Sequence, residues 1–154
     1  GMAWIWVAVV MIAVDQLTKT WAVEYLIPFQ PRAVLPFFNL TLAFYTRAAF
    51  SFLHSASGWQ NWLLGSLALI VSVFIMMWLS RISSKDRWLS IALCLILTGA
   101  IGNAWDRVQY GYVIDFFDFH LNNWHFAIFN VADAAICVGA FMLIASWVFP
   151  IKQD

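Results

Sequence analysis

Asp106, Asp115, Asp118 and Asp133 fall together between Asn103 and Asp133, in a chain that holds only eight acidic residues. They sit in the strings N-A-W-D-R, G-Y-V-I-D-F-F-D-F-H and F-N-V-A-D, between two segments hydrophobic enough to cross a membrane. Ionisable groups at membrane depth cost about 2.5–3.5 kcal/mol each on insertion scales, so a chain that keeps them there has chemistry or transport to perform. Two carboxyls held close cannot both ionise: one pKa rises and the pair shares a proton. The ionised member can then activate a water while the protonated member polarises a carbonyl. That is hydrolysis of the aspartic-protease type, and it calls for neither metal nor cofactor. His54, His120 and His125 are scattered over outer loops and read as surface or interface residues rather than metal ligands.

Asn130 is a good N-cap, and Asp133 lies in the first turn of the helix it opens. The positive end of the helix dipole favours a carboxylate there, which makes Asp133 the candidate base. Asn103, Asp106 and Arg107 have i, i+3, i+4 spacing and project from one helical face. Arg107 can hold a carboxylate or a backbone carbonyl through several donors. Asp15 and Lys19 form an i, i+4 pair close enough to neutralise each other.

Composition fixes what carries these residues. The chain is 64% hydrophobic, 18% aromatic and 10% charged, against about 25% charged in a soluble domain. This is an integral membrane protein, expected as a single domain over residues 1–154. Its formal net charge of zero leaves no footprint for nucleic acid. Gly1 ahead of Met2 is read as an addition to the natural chain. The run from Ala3 to Val14 has no Lys or Arg before it, and is read as a retained span rather than a signal peptide. Cys94 and Cys137 sit in apolar runs as core or lipid-facing residues.

Four spans are expected, at about 3–22, 59–79, 88–105 and 134–151, with outer segments 24–58 and 108–129. Pro28, Pro31 and Pro36 forbid a long helix in the first outer segment. Phe38–Leu42 and Tyr112–Phe116 alternate at period two, as half-buried strands do. His54–Gly58 reads as a loop. The fold class is therefore an all-α membrane bundle of four helices with a small extracytoplasmic β element. Tryptophans cluster near the span ends as an aromatic belt, and the short Arg81–Arg87 loop is basic. The positive-inside rule places that loop and both termini in the cytoplasm. Asp15, Asp106, Asp115 and Asp133 then converge near the outer leaflet.

Five strings in register resemble one family. They are Asp15-Gln16-Leu17-Thr18-Lys19, Ala48-Ala49-Phe50, Gly99 through Arg107, Gly111-Tyr112-Val113-Ile114-Asp115-Phe116 and Phe129-Asn130-Val131-Ala132-Asp133. Together they resemble the lipoprotein signal peptidase, or signal peptidase II, family over nearly the whole chain. The resemblance implies a bacterial inner-membrane aspartic endopeptidase, multi-pass, with its active site near the outer face. Its partners would be membrane lipids and prolipoproteins whose cysteine carries diacylglycerol. The catalytic pair would be Asp115 and Asp133, with Asp106 a rival for the first place. Asn103, Asp106, Arg107, Asn130, Asp15, Lys19 and Phe50 would support the dyad or the substrate, and the first outer segment would form a cradle. The chain departs from the family at Phe44-Tyr45-Thr46-Arg47, where an Asn is replaced by Tyr45 and a Gly by Arg47. Two other readings fit the acids: an inactive relative that binds lipidated peptides, and a small proton-coupled transporter subunit.

Overall fold

The computed structural model describes residues 1–45, 59–121 and 124–149. A short 3-10 turn, Met2–Trp4, leads into α1 (Ile5–Tyr25). Strands β1 (Arg32–Leu35) and β2 (Phe38–Tyr45) follow, then helices α2 (Trp59–Arg81) and α3 (Arg87–Tyr110). Strands β3 (Val113–Leu121) and β4 (Trp124–Phe129) separate α3 from α4 (Val131–Val148). Among the described residues, four helices are long and apolar enough to cross a membrane. A helix satisfies its own backbone donors and acceptors, which lipid cannot do.

The helix ends differ from the expected ones in ways that matter for the acids. α1 continues past Ala22 to Tyr25, so Asp15 lies near mid-helix rather than near an end. α3 continues past Trp105 because nothing breaks it before Gly111. That glycine takes a left-handed conformation (φ 79°) and donates its N–H to the Arg107 carbonyl at 3.0 Å, a C-cap that costs a glycine little. Asp106 and Arg107 are thus inside the helix. α4 begins at Val131 with Asn130 as its cap, as the sequence led one to expect, so the helix starts one turn ahead of the apolar span counted from about 134.

α3 is the hub, packed against α1, α2 and α4. Lipid tails are as apolar as leucine, so helices associate through close packing of small residues. Ala92, Ala100, Ala132 and Ala135 are buried accordingly. One apolar cluster, including Ala8, Leu79, Leu93 and Leu97, joins α1, α2 and α3. A second, formed by Ala22, Leu26, Leu42, Ile114 and Phe116, seals α1 against the sheet. Phe74, Phe141 and Trp147 point outward, as lipid-facing side chains should. Cys94 is buried and Cys137 exposed, both free thiols.

The sheet is antiparallel throughout, in the order β1-β2-β3-β4. Phe38–Leu42 lies in β2, and the second alternating stretch is strand from Val113 onward. β4 was not foreseen, because Trp124–Phe129 has no clean alternation of apolar and polar residues. His120 and His125 are not scattered in loops: their Cα atoms are partners across the β3–β4 ladder. Tyr45 closes β2, while Arg47, Phe50 and the loop expected at His54–Gly58 lie outside the described residues.

A carboxyl dyad and the clasp beneath it

β3 fixes the direction of Asp115. Its neighbours Ile114 and Phe116 enter the cluster against α1, so the alternation of the strand turns Asp115 to the other face. There it meets the start of α4. Asn130 and Asp133 form a reciprocal capping box: the Asn130 Oδ1 accepts from the Asp133 N–H at 2.8 Å, and the Asp133 Oδ2 accepts from the Asn130 N–H at 3.2 Å. The Asn130 side-chain amide is left free to donate outward. It reaches Asp115 Oδ1 at 2.8 Å, the Ile114 carbonyl at 3.1 Å and Asn103 Oδ1 at 3.0 Å. Asn103 on α3 donates its Nδ2 to Asp133 Oδ1 at 2.8 Å. Both oxygens of Asp133 therefore accept, as suits a carboxylate.

Asp115 and Asp133 are hydrogen-bonded to each other. Two carboxyls can bond only if one keeps a proton. Asp115 is the group pushed up, to about 8. Burial is the first cause, and the Asp133 charge the second, while Lys19 pulls the other way. Asp115 is 6% exposed, and Asp133 is only half-buried. A pair so arranged can deliver one proton and accept another.

Beneath the dyad lies a second pair of acids. Asp15 and Asp106 are fully buried, and both take Lys19 Nζ at 2.8 Å. Lys19, itself 2% exposed, also donates to Asn103 Oδ1 at 3.3 Å. Asp15 Oδ1 accepts the Ala132 N–H at 2.9 Å, and Asp106 Oδ2 accepts the Ile114 N–H at 3.2 Å. Each lower acid thus holds the backbone one residue ahead of one upper acid. Gly102 makes room for this: a Cβ there would come within 2.6 Å of Asp15 Oδ2 and 3.1 Å of the Ala132 Cβ.

Arg107 stands within electrostatic reach of Asp133, Asp115 and Asp106. It also lines a mostly apolar groove of about 890 Å³ between α2 and α3, together with Trp62, Leu69, Val73, Trp105 and Tyr110.

Eight of the nine residues singled out in the sequence fall in or beside this network; the ninth, Phe50, lies outside the described residues. Asp118, although close in sequence, does not join it. It is buried in the sheet, where it accepts from Thr41 Oγ1 at 2.7 Å. Gln16 belongs to the network but was not singled out. Its position next to Asp15 gives no periodic signal, since adjacent helical residues point apart.

A sequence profile of the family described as Signal peptidase (SPase) II matches residues 7–149. A lipoprotein signal peptidase of Coxiella burnetii (strain Dugway 5J108-111) is 49% identical over 141 residues, covering 92% of this chain and 86% of its own. One from Yersinia enterocolitica is 46% identical over 144 residues, covering 94% and 85%. The backbone superposes on a bacterial membrane enzyme solved in meso at 2.3 Å with a TM-score of 0.82, 26% identity and coverage of 97% and 92%. A second such structure, at 1.9 Å, gives 0.83 and 25% identity, covering 96% and 93%. Agreement of sequence and backbone over nearly the whole length makes this chain a member of the signal peptidase II family.

Proposed function

We propose that the chain is a membrane aspartic endopeptidase that removes signal peptides from prolipoproteins whose cysteine carries diacylglycerol. The observation that carries this reading is the hydrogen-bonded pair Asp115 and Asp133 at the mouth of α4. Asp133, whose two oxygens both accept, takes a proton from water as its oxygen attacks the scissile carbonyl carbon. Asp115 gives its proton to the carbonyl oxygen. The resulting diol collapses as Asp133 passes the proton it took from water to the leaving amide nitrogen and Asp115 takes one hydroxyl proton back, which breaks the C–N bond and restores the pair. Asp106 does not compete for this role, because its oxygens are occupied by Lys19, Gln16 and the Ile114 N–H.

Asn103 and Asn130 orient the two carboxyls through direct hydrogen bonds. Arg107 steadies charge beside them, and Phe50 belongs with the substrate contacts. The apolar groove beside Arg107 suits a chain that enters from the bilayer with its polar linkage at one end. The names of the relatives support prolipoproteins as the substrate class. The bacterial sources of the relatives support an inner-membrane setting. The basic Arg81–Arg87 loop supports an orientation with that loop and both termini in the cytoplasm and the dyad near the outer face.

The test is incubation of the purified protein with a precursor peptide carrying diacylglyceryl-cysteine, beside the same peptide unmodified. Release of the signal peptide from the modified form alone is expected. Cleavage of neither form overturns the assignment.

A further inference from the structure

The dyad sits on two elements, the β3 strand and the start of α4, and the acids that hold their backbones come from two more, α1 and α3. The four oxygens of Asp15 and Asp106 show how they are tied. Asp15 Oδ1 takes the Ala132 N–H, one residue ahead of Asp133, and Asp106 Oδ2 takes the Ile114 N–H, one residue ahead of Asp115. Lys19 joins the two acids through the Oδ2 atom of each. Gln16 completes the set. Its Nε2 donates to Asp15 Oδ2 at 3.1 Å and to Asp106 Oδ1 at 3.1 Å, and lies 3.4 Å from the Gly102 carbonyl. Without Gln16, Asp106 Oδ1 would lose the donor it has from α1. The bridge between the two carboxylates would then rest on the one flexible side chain of Lys19.

We infer that Gln16 is a positioning residue for the peptidase reaction: by bridging Asp15 and Asp106 it sets the distance between Asp115 and Asp133. The inference rests on the dyad reading above. It adds a residue on α1 that touches neither reacting carboxyl. An amide suits the place because it brings two donors and no charge. A second cation would neutralise the cluster and draw the lower acids toward itself, and a carboxylate would repel both.

The consequence is specific. If the bridge is cut, α4 and β3 relax relative to each other and the dyad opens. Misplacement of about 1 Å at a reacting group can cost about a hundredfold in rate. Gln16→Leu keeps the volume and removes both donors. Its kcat on a diacylglyceryl precursor peptide should fall at least about tenfold, while KM stays within about twofold, because Gln16 does not line the groove. The alkaline limb of kcat should also move to lower pH. Asp115 is faced by Asp133 from α4, Lys19 from α1, and Asp106 and Arg107 from α3. Of these, Asp133 raises it most, so a wider dyad lets Asp115 ionise sooner. A residue that served stability alone would lower the melting temperature without moving that limb.

The experiment measures kcat, KM and the pH limb for wild type, Gln16→Leu and Asp133→Asn in one detergent preparation. Lower kcat, steady KM and an acid-shifted limb in Gln16→Leu, with Asp133→Asn inactive, support the inference. Wild-type kcat and limb in Gln16→Leu, with Asp133→Asn inactive, overturn it and leave the dyad standing. Activity in Asp133→Asn overturns the dyad itself. If Gln16→Leu does not fold, Gln16→Met takes its place and is judged by the same criteria. Loss of fold in both variants overturns the inference too, because Gln16 would then act on stability.

Discussion

Replacing Asp115 with Asn tests the shared proton without any substrate. The Asp115 carboxyl is raised from 3.8 to about 8, by burial first and by the Asp133 charge second. The unfolded chain releases this proton near 3.8, the folded chain only near 8. Between those values the native state binds the extra proton, so stability falls as pH rises, by about 1.4 kcal/mol per pH unit. The contribution is whole below the lower value and lost above the upper one. From pH 5.5 to 7.5 it amounts to about 2.7 kcal/mol, or roughly 5–10 °C in melting temperature for a chain of this length. Asn has no proton to lose. Thermal unfolding in detergent should therefore show a flatter pH dependence for Asp115→Asn than for wild type, by that amount, with the variant the more stable near pH 8. Parallel curves for the two proteins would show that Asp115 ionises normally, and the shared proton would be refuted.

Activity should fall about tenfold per pH unit above about 8, as Asp115 loses the proton it must donate; a flat rate to pH 9.5 contradicts this. Gly102→Ala should displace Asp15 from the Ala132 N–H, costing about 1–3 kcal/mol and lowering the rate, as read by unfolding and by peptide cleavage. Cysteines placed at Ser84 and Leu121 should react oppositely with an impermeant thiol reagent applied from outside, with Leu121→Cys labelled and Ser84→Cys protected. The double change Tyr45→Asn with Arg47→Gly should raise the cleavage rate with little gain in melting temperature, if these departures from the family crowd the substrate path.

Much of this architecture was legible in the sequence because a bilayer punishes ambiguity. The uncharged stretch Trp62–Ser80 and the prolines Pro28, Pro31 and Pro36 leave few alternatives. The Asn130 cap and the Asn103–Arg107 face followed from local rules, and so did the Asp15–Lys19 pair. What stayed hidden was contact between distant segments. Nothing in the spacing of Asp15 says that it reaches the Ala132 N–H, or that Asp106 is sealed by Lys19 while Asp115 is left to face Asp133. Asp118 carried the same local signal as Asp115, yet the register of β2 on β3 turns it toward Thr41. The end of α3 was placed too early, because Gly111 rather than hydropathy decides where that helix stops.

The central claim is that Asp115 and Asp133 act as one unit on the peptide bond. Its most direct measurement is single-turnover cleavage of a diacylglyceryl precursor peptide by wild type, Asp115→Asn and Asp133→Asn, with folding of each verified by thermal unfolding. Both variants should be folded and should release no signal peptide above background. Wild-type cleavage by folded Asp115→Asn would contradict the claim and move the first catalytic place to Asp106.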